Sequence, residues 1–463
     1  MPLMATPTVK IDWANLPKTS LLRLYHPQTQ GNSFSLDGFP ALKGSVDWLT
    51  RLVEVIETQG VLGMTTNQTL FRQLMETGAL DERLRAFKAQ GRSPQEIYQI
   101  LYNEAVTLAA SAFGPIHARW PWEGRVSQEA SALLTELEPL VKDVERIAGA
   151  MAGVGAFTKI PNLPIGPRAI ERAVTSGRVC PNVTLVFSDR HYIQTVEGYL
   201  LGLKARVDAL KKQGASESEI RQEISQIVSV NSLFVSRVDR VTDPMIEERL
   251  PLLKGKVAVA QGKKIYQLFE AIFLGLPLQD PEGLYADSEG KALLATVDRL
   301  RGLYGELKKF AAHPQRLLIA SSGVKSDQPY SPLLYVLPFL GPWCANTLPE
   351  GTLEAFSRFV SQLSDEEVAS LKNRNLMHEP MPALPTDHTW DRAVLMTPAQ
   401  RRADGIGEMT PDKILRDAYE LIFKPRGTSL RSLCDTLRDK GAASFTTDEQ
   451  ATLTAIQTKL QTL

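Results

Sequence analysis

Eight short β-rich runs, set apart by longer stretches of helical periodicity, limit what this chain can fold into. The runs are Ser33 to Leu36, Val61 to Met64, Arg125 to Ser127, Ala156 to Ile160, Asn182 to Phe187, Ile227 to Ser229, Arg316 to Ala320 and Trp343 to Asn346. Between them, apolar residues recur at helix spacing, as in Leu293, Val297, Leu300, Tyr304 and Leu307. Alternating strands and helices imply parallel pairing through crossover helices. Eight such units point to a closed (β/α)8 TIM barrel more than to an open sheet. With 463 residues, the chain has room for one large barrel carrying helical insertions.

Three intervals exceed one crossover helix. Residues 189–226 read as two helices broken at Gly214, and residues 239–314 hold several helices around a turn-rich stretch at 275–290. A third insertion falls near 360–420, where Glu379 to Met396, rich in Pro, Asp and Thr, reads as a surface loop. No long linker separates two halves, so residues 1–463 are expected to form one domain.

The 52 basic and 52 acidic residues cancel, which argues against a nucleic-acid binder and leaves open a small anionic ligand held by local cations. Cys180, Cys344 and Cys434 are odd in number and far apart, which argues against a disulfide framework and a zinc site. The start, Met1 to Pro7, lacks the pattern of a signal peptide. The most apolar stretch, Pro332 to Cys344, is broken by prolines and glycine and falls short of the about 18 apolar residues a membrane span needs. A cytoplasmic protein is expected; oligomeric state is not legible.

In a barrel, chemistry belongs at the C-terminal ends of strands. Lys159 is the most telling residue there. It sits in the apolar run Ala156-Phe157-Thr158-Lys159-Ile160-Pro161. A buried ammonium is costly unless it is paired or its pKa falls, and a neutral lysine amine attacks carbonyls to form Schiff bases. The other strand ends supply Asp37, then Thr65, Thr66 and Asn67, then Glu129. Asn182 and Thr184 follow, then Ser232 leading to Arg237, then Ser321 to Lys325. Singly, each has an ordinary reading as a turn residue, a cap or a surface ion pair. Their joint order suits Schiff-base chemistry on a phosphorylated sugar.

The segments also resemble a known family. Gly63-Met64-Thr65-Thr66-Asn67-Gln68-Thr69-Leu70-Phe71 resembles the Gly-Val-Thr-Ser-Asn-Pro-Thr-Ile-Phe signature of transaldolases. Thr158-Lys159-Ile160-Pro161 resembles their Ile-Lys-Ile-Pro strand, and Asn182-Val183-Thr184-Leu185-Val186-Phe187-Ser188 is similar to their Asn-x-Thr-Leu-x-Phe-Ser strand. Ser232-Leu233-Phe234-Val235-Ser236-Arg237-Val238-Asp239 is similar to a segment of the longer bacterial branch.

The resemblance implies roles. Lys159 would be the Schiff-base lysine and Asp37 the acid/base on the C4 hydroxyl of the donor. Glu129, with Thr184, would hold the water used in proton transfers. Asn67, Asn182 and Ser232 would orient the retained three-carbon unit, and Arg237, Ser321 and Lys325 would hold the phosphate. The substrates implied are phosphorylated sugars. A dihydroxyacetone unit would move from sedoheptulose 7-phosphate to glyceraldehyde 3-phosphate, with neither metal nor organic cofactor.

Two alternatives stand beside this. One is a fructose-6-phosphate-type aldolase that releases free dihydroxyacetone. Those relatives tend to carry Gln and Tyr where this chain has Glu129 and Phe234, so both residues favour transfer. The other is a non-catalytic sugar-phosphate-binding relative. The chain departs from the pattern at Gln68, Asn162, Leu163 and Val324, and around Asp37, where Gly38-Phe39-Pro40 follows.

Overall fold

A parallel sheet built from such runs buries both faces when helices cover it, either on both sides of an open sheet or as a ring around a closed one. The computed structural model, which describes residues 8–40, 47–66, 68–76, 78, 80–246 and 250–463, has the closed form. Strands β1 (Ser33–Asp37), β2 (Gly63–Thr65), β3 (Arg125–Glu129), β4 (Ala156–Pro161), β5 (Pro181–Val186), β6 (Ser229–Phe234), β7 (Gln315–Ala320) and β8 (Cys344–Leu348) form a closed barrel in sequence order. Every neighbouring pair is parallel, and β8 returns to β1 with Ser33 level with Ala345 and Leu36 with Leu348.

Four strands differ from their sequence-based bounds by two residues or more at one end: β2 starts at Gly63 and not Val61, β3 runs on to Glu129 and not Ser127, and β6 and β8 also shift. β6 begins at Ser229 and runs to Phe234, not from Ile227 to Ser229. Its polar centre disguises it. Asn231 Nδ2 donates to Thr195 Oγ1 at 2.6 Å, and Ser229 Oγ donates to the Pro181 carbonyl at 2.9 Å, so buried polar groups find partners inside the wall. β8 starts after Trp343, whose φ of +60° lies in the left-handed region, and extends to Leu348.

The interior is filled, not hollow. At the N-terminal half, Arg316 Nη1 lies 2.6 Å from Glu123 Oε1, and Ser33 Oγ donates to Glu123 Oε2 at 2.9 Å. Phe157, Val228, Val230, Leu318 and Ala345 pack together as a separate apolar cluster. These side chains close the bottom of the barrel and leave its C-terminal half to polar groups.

The interval 189–226 holds helices Asp189–Lys212 and Glu217–Ile224, with Gly214 at a φ of +82° in the turn between them. The expected surface loop at 379–396 is instead partly structured. Met381–Pro382 pairs antiparallel with Glu408–Met409, and His388–Leu395 is a helix capped by Asp387. Trp390, Ala393 and Val394 are buried on one face of that helix. Pro, Asp and Thr supply the turn and cap, while the i, i+3, i+4 apolar trio supplies the packing.

Three lysines on and beside helix Val257–Phe269 fasten later segments to the barrel. Lys256 Nζ donates to the carbonyls of Leu252 and Leu384, each at 2.7 Å. Lys264 Nζ lies 2.6 Å from Asp412 Oδ1. Lys263 Nζ donates to the carbonyls of Leu376 and, at 2.8 Å, Glu379. Burial pushes the Lys263 amine down to about 7. A neutral amine keeps two N–H groups, one for each carbonyl.

An unfolded lysine titrates near ~10.4, so between about pH 7 and 10 the unfolded chain binds more protons at this position. Stability should therefore rise with pH across that window, by at most about 1.4 kcal/mol per pH unit. Melting curves of the wild-type protein and Lys263→Met, compared from pH 7 to pH 9, should diverge as pH rises. A constant difference would contradict the assignment.

Candidate active site

Three neighbouring strands bring the expected reactive groups level. Glu129 of β3 is in register with Lys159 of β4, and Lys159 with Asn182 of β5. Residues level on parallel strands face the same side, here the C-terminal half of the barrel interior. Lys159 Nζ lies 2.8 Å from Glu129 Oε1 and donates to the Thr66 carbonyl at 3.0 Å. Both side chains are buried, so the ammonium meets its desolvation cost through a partner.

The Thr66 carbonyl is itself fixed. Thr66 Oγ1 donates to the Ser127 carbonyl at 2.7 Å and lies 2.6 Å from the Tyr102 hydroxyl. Burial pushes the Glu129 carboxyl above the ordinary range, against the opposing pull of Lys159. The charge of Asp37 pushes it the same way as burial, and the main-chain N–H of Gln68 opposes it. A proline at that position would offer no N–H. Asn67, expected to orient the substrate, lies outside the described residues.

Asp37 ends β1, level with Thr65. Thr65 Oγ1 donates to Asp37 Oδ1 at 2.7 Å and lies 2.7 Å from Thr347 Oγ1. A hydroxyl has one proton to give, so Thr347 donates to Thr65, which donates to Asp37. Asp37 is half-buried where Glu129 is fully buried.

Asn182 and Ser232 belong to one buried chain. Ser232 Oγ donates to Asn182 Oδ1 at 2.6 Å, and Asn182 Nδ2 donates to Ser127 Oγ at 2.9 Å. Ser127 is not among the residues expected from the sequence, although it lies two residues before Glu129 and the strand period places it on the same face. Thr184 lies two residues beyond Asn182. Its Oγ1 is buried with no hydrogen-bond partner among the described residues. The β5–β6 register shifts between Val183 and Val186, and Leu185 adopts a φ of +61°. This irregularity interrupts the pairing of β5 with β6 beside Thr184.

At the far side of the opening, the Arg237 guanidinium stacks 5.0 Å over the Phe234 ring, which meets Phe187 edge-on at 5.3 Å. Burial lowers the pKa of Arg237, and the charges of Asp37, Glu129 and Asp448 act in the opposite direction. Ser321 Oγ lies 3.0 Å from Ser236 Oγ, next to Arg237 in the chain, with Ser321 at a φ of +53°. Lys325 is exposed, and its main-chain N–H donates to Gln328 Oε1 at 3.2 Å. The structure thus brings Ser321 to the Arg237 side of the opening and leaves the Lys325 side chain on a surface loop. Among the described residues, no cluster of three or more His, Cys, Asp or Glu side chains is placed to hold a metal ion, and no helix is long and apolar enough to cross a membrane.

The C-terminal half of the barrel presents a lysine, two carboxylates in unlike surroundings and an amide–hydroxyl chain, and the helix that follows β6 (Ser236–Thr242) adds a guanidinium stacked on an aromatic ring. Comparison with known proteins gives the family. The sequence profile of the transaldolase/fructose-6-phosphate aldolase family matches residues 44–386, a span that takes in Glu129, Lys159, Asn182 and Arg237. Transaldolase 2 of Streptomyces coelicolor is 31% identical over 311 residues, covering 66% of this chain and 73% of the relative. A transaldolase of Saccharopolyspora erythraea is 32% identical over 308 residues, covering 66% and 73%. One of Trichodesmium erythraeum is 30% identical over 319 residues, covering 66% and 74%. The chain belongs to the transaldolase/fructose-6-phosphate aldolase family and is an enzyme, a transferase of the transaldolase type.

Proposed function

We propose that the enzyme moves a dihydroxyacetone unit from sedoheptulose 7-phosphate to glyceraldehyde 3-phosphate through a Schiff base on Lys159, giving erythrose 4-phosphate and fructose 6-phosphate. The observation that carries this reading is the buried Lys159–Glu129 contact of 2.8 Å. Burial raises the affinity of Glu129 for a proton. As a neutral ketone displaces solvent beside the pair, the ammonium proton passes to Glu129 and leaves a free amine to attack the C2 carbonyl. The protonated Glu129 then returns that proton to the departing hydroxyl, which leaves as water. The Thr184 hydroxyl, without a partner among the described residues, suits a water shared with Glu129.

The imine is the electron sink for the next step. Asp37 takes the proton of the C4 hydroxyl, the C3–C4 bond breaks, and the electron pair is held as the enamine on Lys159. The hydroxyl relay from Thr347 through Thr65 supports the Asp37 carboxylate while it waits. The chain of Ser232, Asn182 and Ser127 presents fixed polar groups to the hydroxyls of the retained unit. Arg237 and Ser321 take the phosphate, with Lys325 at the outer rim. On this reading one barrel carries the activity, with residues 189–226, 239–314 and 360–420 as outer layers.

Reduction with borohydride in the presence of fructose 6-phosphate should leave a three-carbon adduct on Lys159, and Lys159→Ala should take up none. Intact protein without a mass gain would overturn the mechanism. With the acceptor aldehyde omitted, little free dihydroxyacetone should form. Steady release at the rate of transfer would favour the aldolase alternative.

Glu129→Gln should slow formation of the adduct by about 10²–10⁴-fold, the range lost with a general acid/base. It should also move the acidic limb of the pH–rate profile, since Glu129 must be ionised to receive the ammonium proton, leaving only the limb of Asp37, which must be ionised to take the C4 proton. A variant with the wild-type limb would take Glu129 out of this role.

A further inference from the structure

The long C-terminal helix, Leu430–Thr462, lies beyond the stretch that matches the family, residues 44–386. Its buried face is apolar at Phe445 and Ile456, yet between them it carries Glu449, with no exposed surface. A carboxylate there is costly unless its oxygens are satisfied. Ser131 Oγ donates to Glu449 Oε1 at 2.7 Å, and the Ala132 main-chain N–H donates to Oε2 at 2.6 Å. Both oxygens accept, which fits the ionised form. Burial pushes the carboxyl up, and these two hydrogen bonds act against it.

The residues that Glu449 grips are the ones that follow Glu129. The Ala130 N–H donates to the Lys159 carbonyl at 3.1 Å, and the Ser131 N–H donates to Asp143 Oδ2 at 2.9 Å. One turn before Glu449, Thr446 Oγ1 donates to the Ala132 carbonyl at 3.1 Å. One turn after it, Thr452 Oγ1 donates to the Asp448 carbonyl at 2.8 Å and lies 3.4 Å from the Gln68 carbonyl. The helix therefore holds the segment that follows Glu129 and lies against the one that carries Gln68. A helix that only had to cover the barrel would gain more from an apolar residue at this point.

We infer that Glu449 is a positioning residue for Glu129: through Ser131 and Ala132 it fixes the end of β3 and makes docking of the C-terminal helix a condition of the chemistry at Lys159. The inference rests on the reading of Glu129 as the group that exchanges a proton with Lys159. A glutamine at position 449 would replace the charged acceptor with an amide whose Nε2 faces Ser131 Oγ, so that hydroxyl must turn from donor to acceptor and both bonds lose their charge assistance. Ser131→Ala removes one of the two bonds without touching the helix.

The test follows borohydride trapping and steady-state transfer in the full-length wild type, Glu449→Gln, Ser131→Ala and the double variant. The rate of trapping and kcat should fall by about 10- to 100-fold, as expected for a displaced reacting group. KM should stay within about twofold, and every molecule should still become trapped at long times. The double variant should be little worse than Glu449→Gln alone. Unchanged rates would overturn the inference, and so would a normal rate with a smaller trappable fraction, which is loss of folded enzyme.

If the wild type traps nothing, the Schiff-base reading fails separately. Amide exchange then decides. In Glu449→Gln, exchange at 130–133 should be about tenfold faster, with the rest of the barrel unchanged. Unaltered exchange there overturns the positioning role.

Discussion

A buried ammonium and a buried carboxylate, 2.8 Å apart on adjacent strands, constrain the rest of this molecule. Removing either partner would strand a charge in the barrel interior, at a cost of about 3–5 kcal/mol. The pair exists only because β3 and β4 meet with Glu129 level with Lys159. A slip of one residue would turn one of the two outward. Strand register, the main-chain carbonyl of Thr66 and the loop after Glu129 are therefore parts of one electrostatic arrangement.

Inward positions change character along each strand for the same reason. β4 presents Phe157 and then Lys159, and β6 presents Val230 and then Ser232. Phe157 and Val230 belong to the apolar cluster that fills the lower barrel, and beneath it Arg316 and Glu123 neutralise each other. The lower half keeps only a cavity of about 20 Å³ beside Glu123, Arg316, Phe157 and Val230, room for a water and not for a sugar. That filling gives Lys159 a floor, and its stem carries the amine up to Glu129 and the Thr66 carbonyl.

The barrel and its lysine are legible in the sequence because both are local signals. A strand of alternating apolar residues with one lysine in it reads the same alone or in context. Asp37, Glu129, Asn182 and Thr184 can be placed because barrel topology sends strand ends to one face. Whatever depends on remote partners is less visible. β6 looks shorter than it is because Asn231 finds Thr195 36 residues away. Glu449 cannot be read at all, since its contact Ser131 lies 318 residues earlier. The helix around Trp390 reads as a loop because Pro380, Pro382, Pro385, Thr386 and Asp387 precede its short apolar face. Lys325 marks the opposite limit: its motif is readable, but exposure on a loop leaves its ammonium without a fixed place in the site.

Two carboxylates in one cavity perform different tasks only if their surroundings differ. Glu129 is enclosed, touches the ammonium and has its proton affinity raised by burial. Asp37 is half-buried and rests at the end of a hydroxyl relay on β1, between β2 and β8. On the proposed mechanism this division matters most after the carbon–carbon bond has broken. The three-carbon unit must wait on Lys159 until an aldehyde arrives. Protonation of the enamine carbon followed by attack of water on the resulting imine would release it early, so water must be kept from the Glu129 corner until the acceptor is in place. The C-terminal helix packs against that corner, with Gly441 leaving room for Leu185 and for Arg237. On the proposed mechanism, transfer instead of release then depends on how tightly that helix closes over the loop after Glu129. The same helix approaches the Arg237 guanidinium proposed to take the phosphate, so on that mechanism binding of the incoming sugar and protection of the waiting intermediate act on one element.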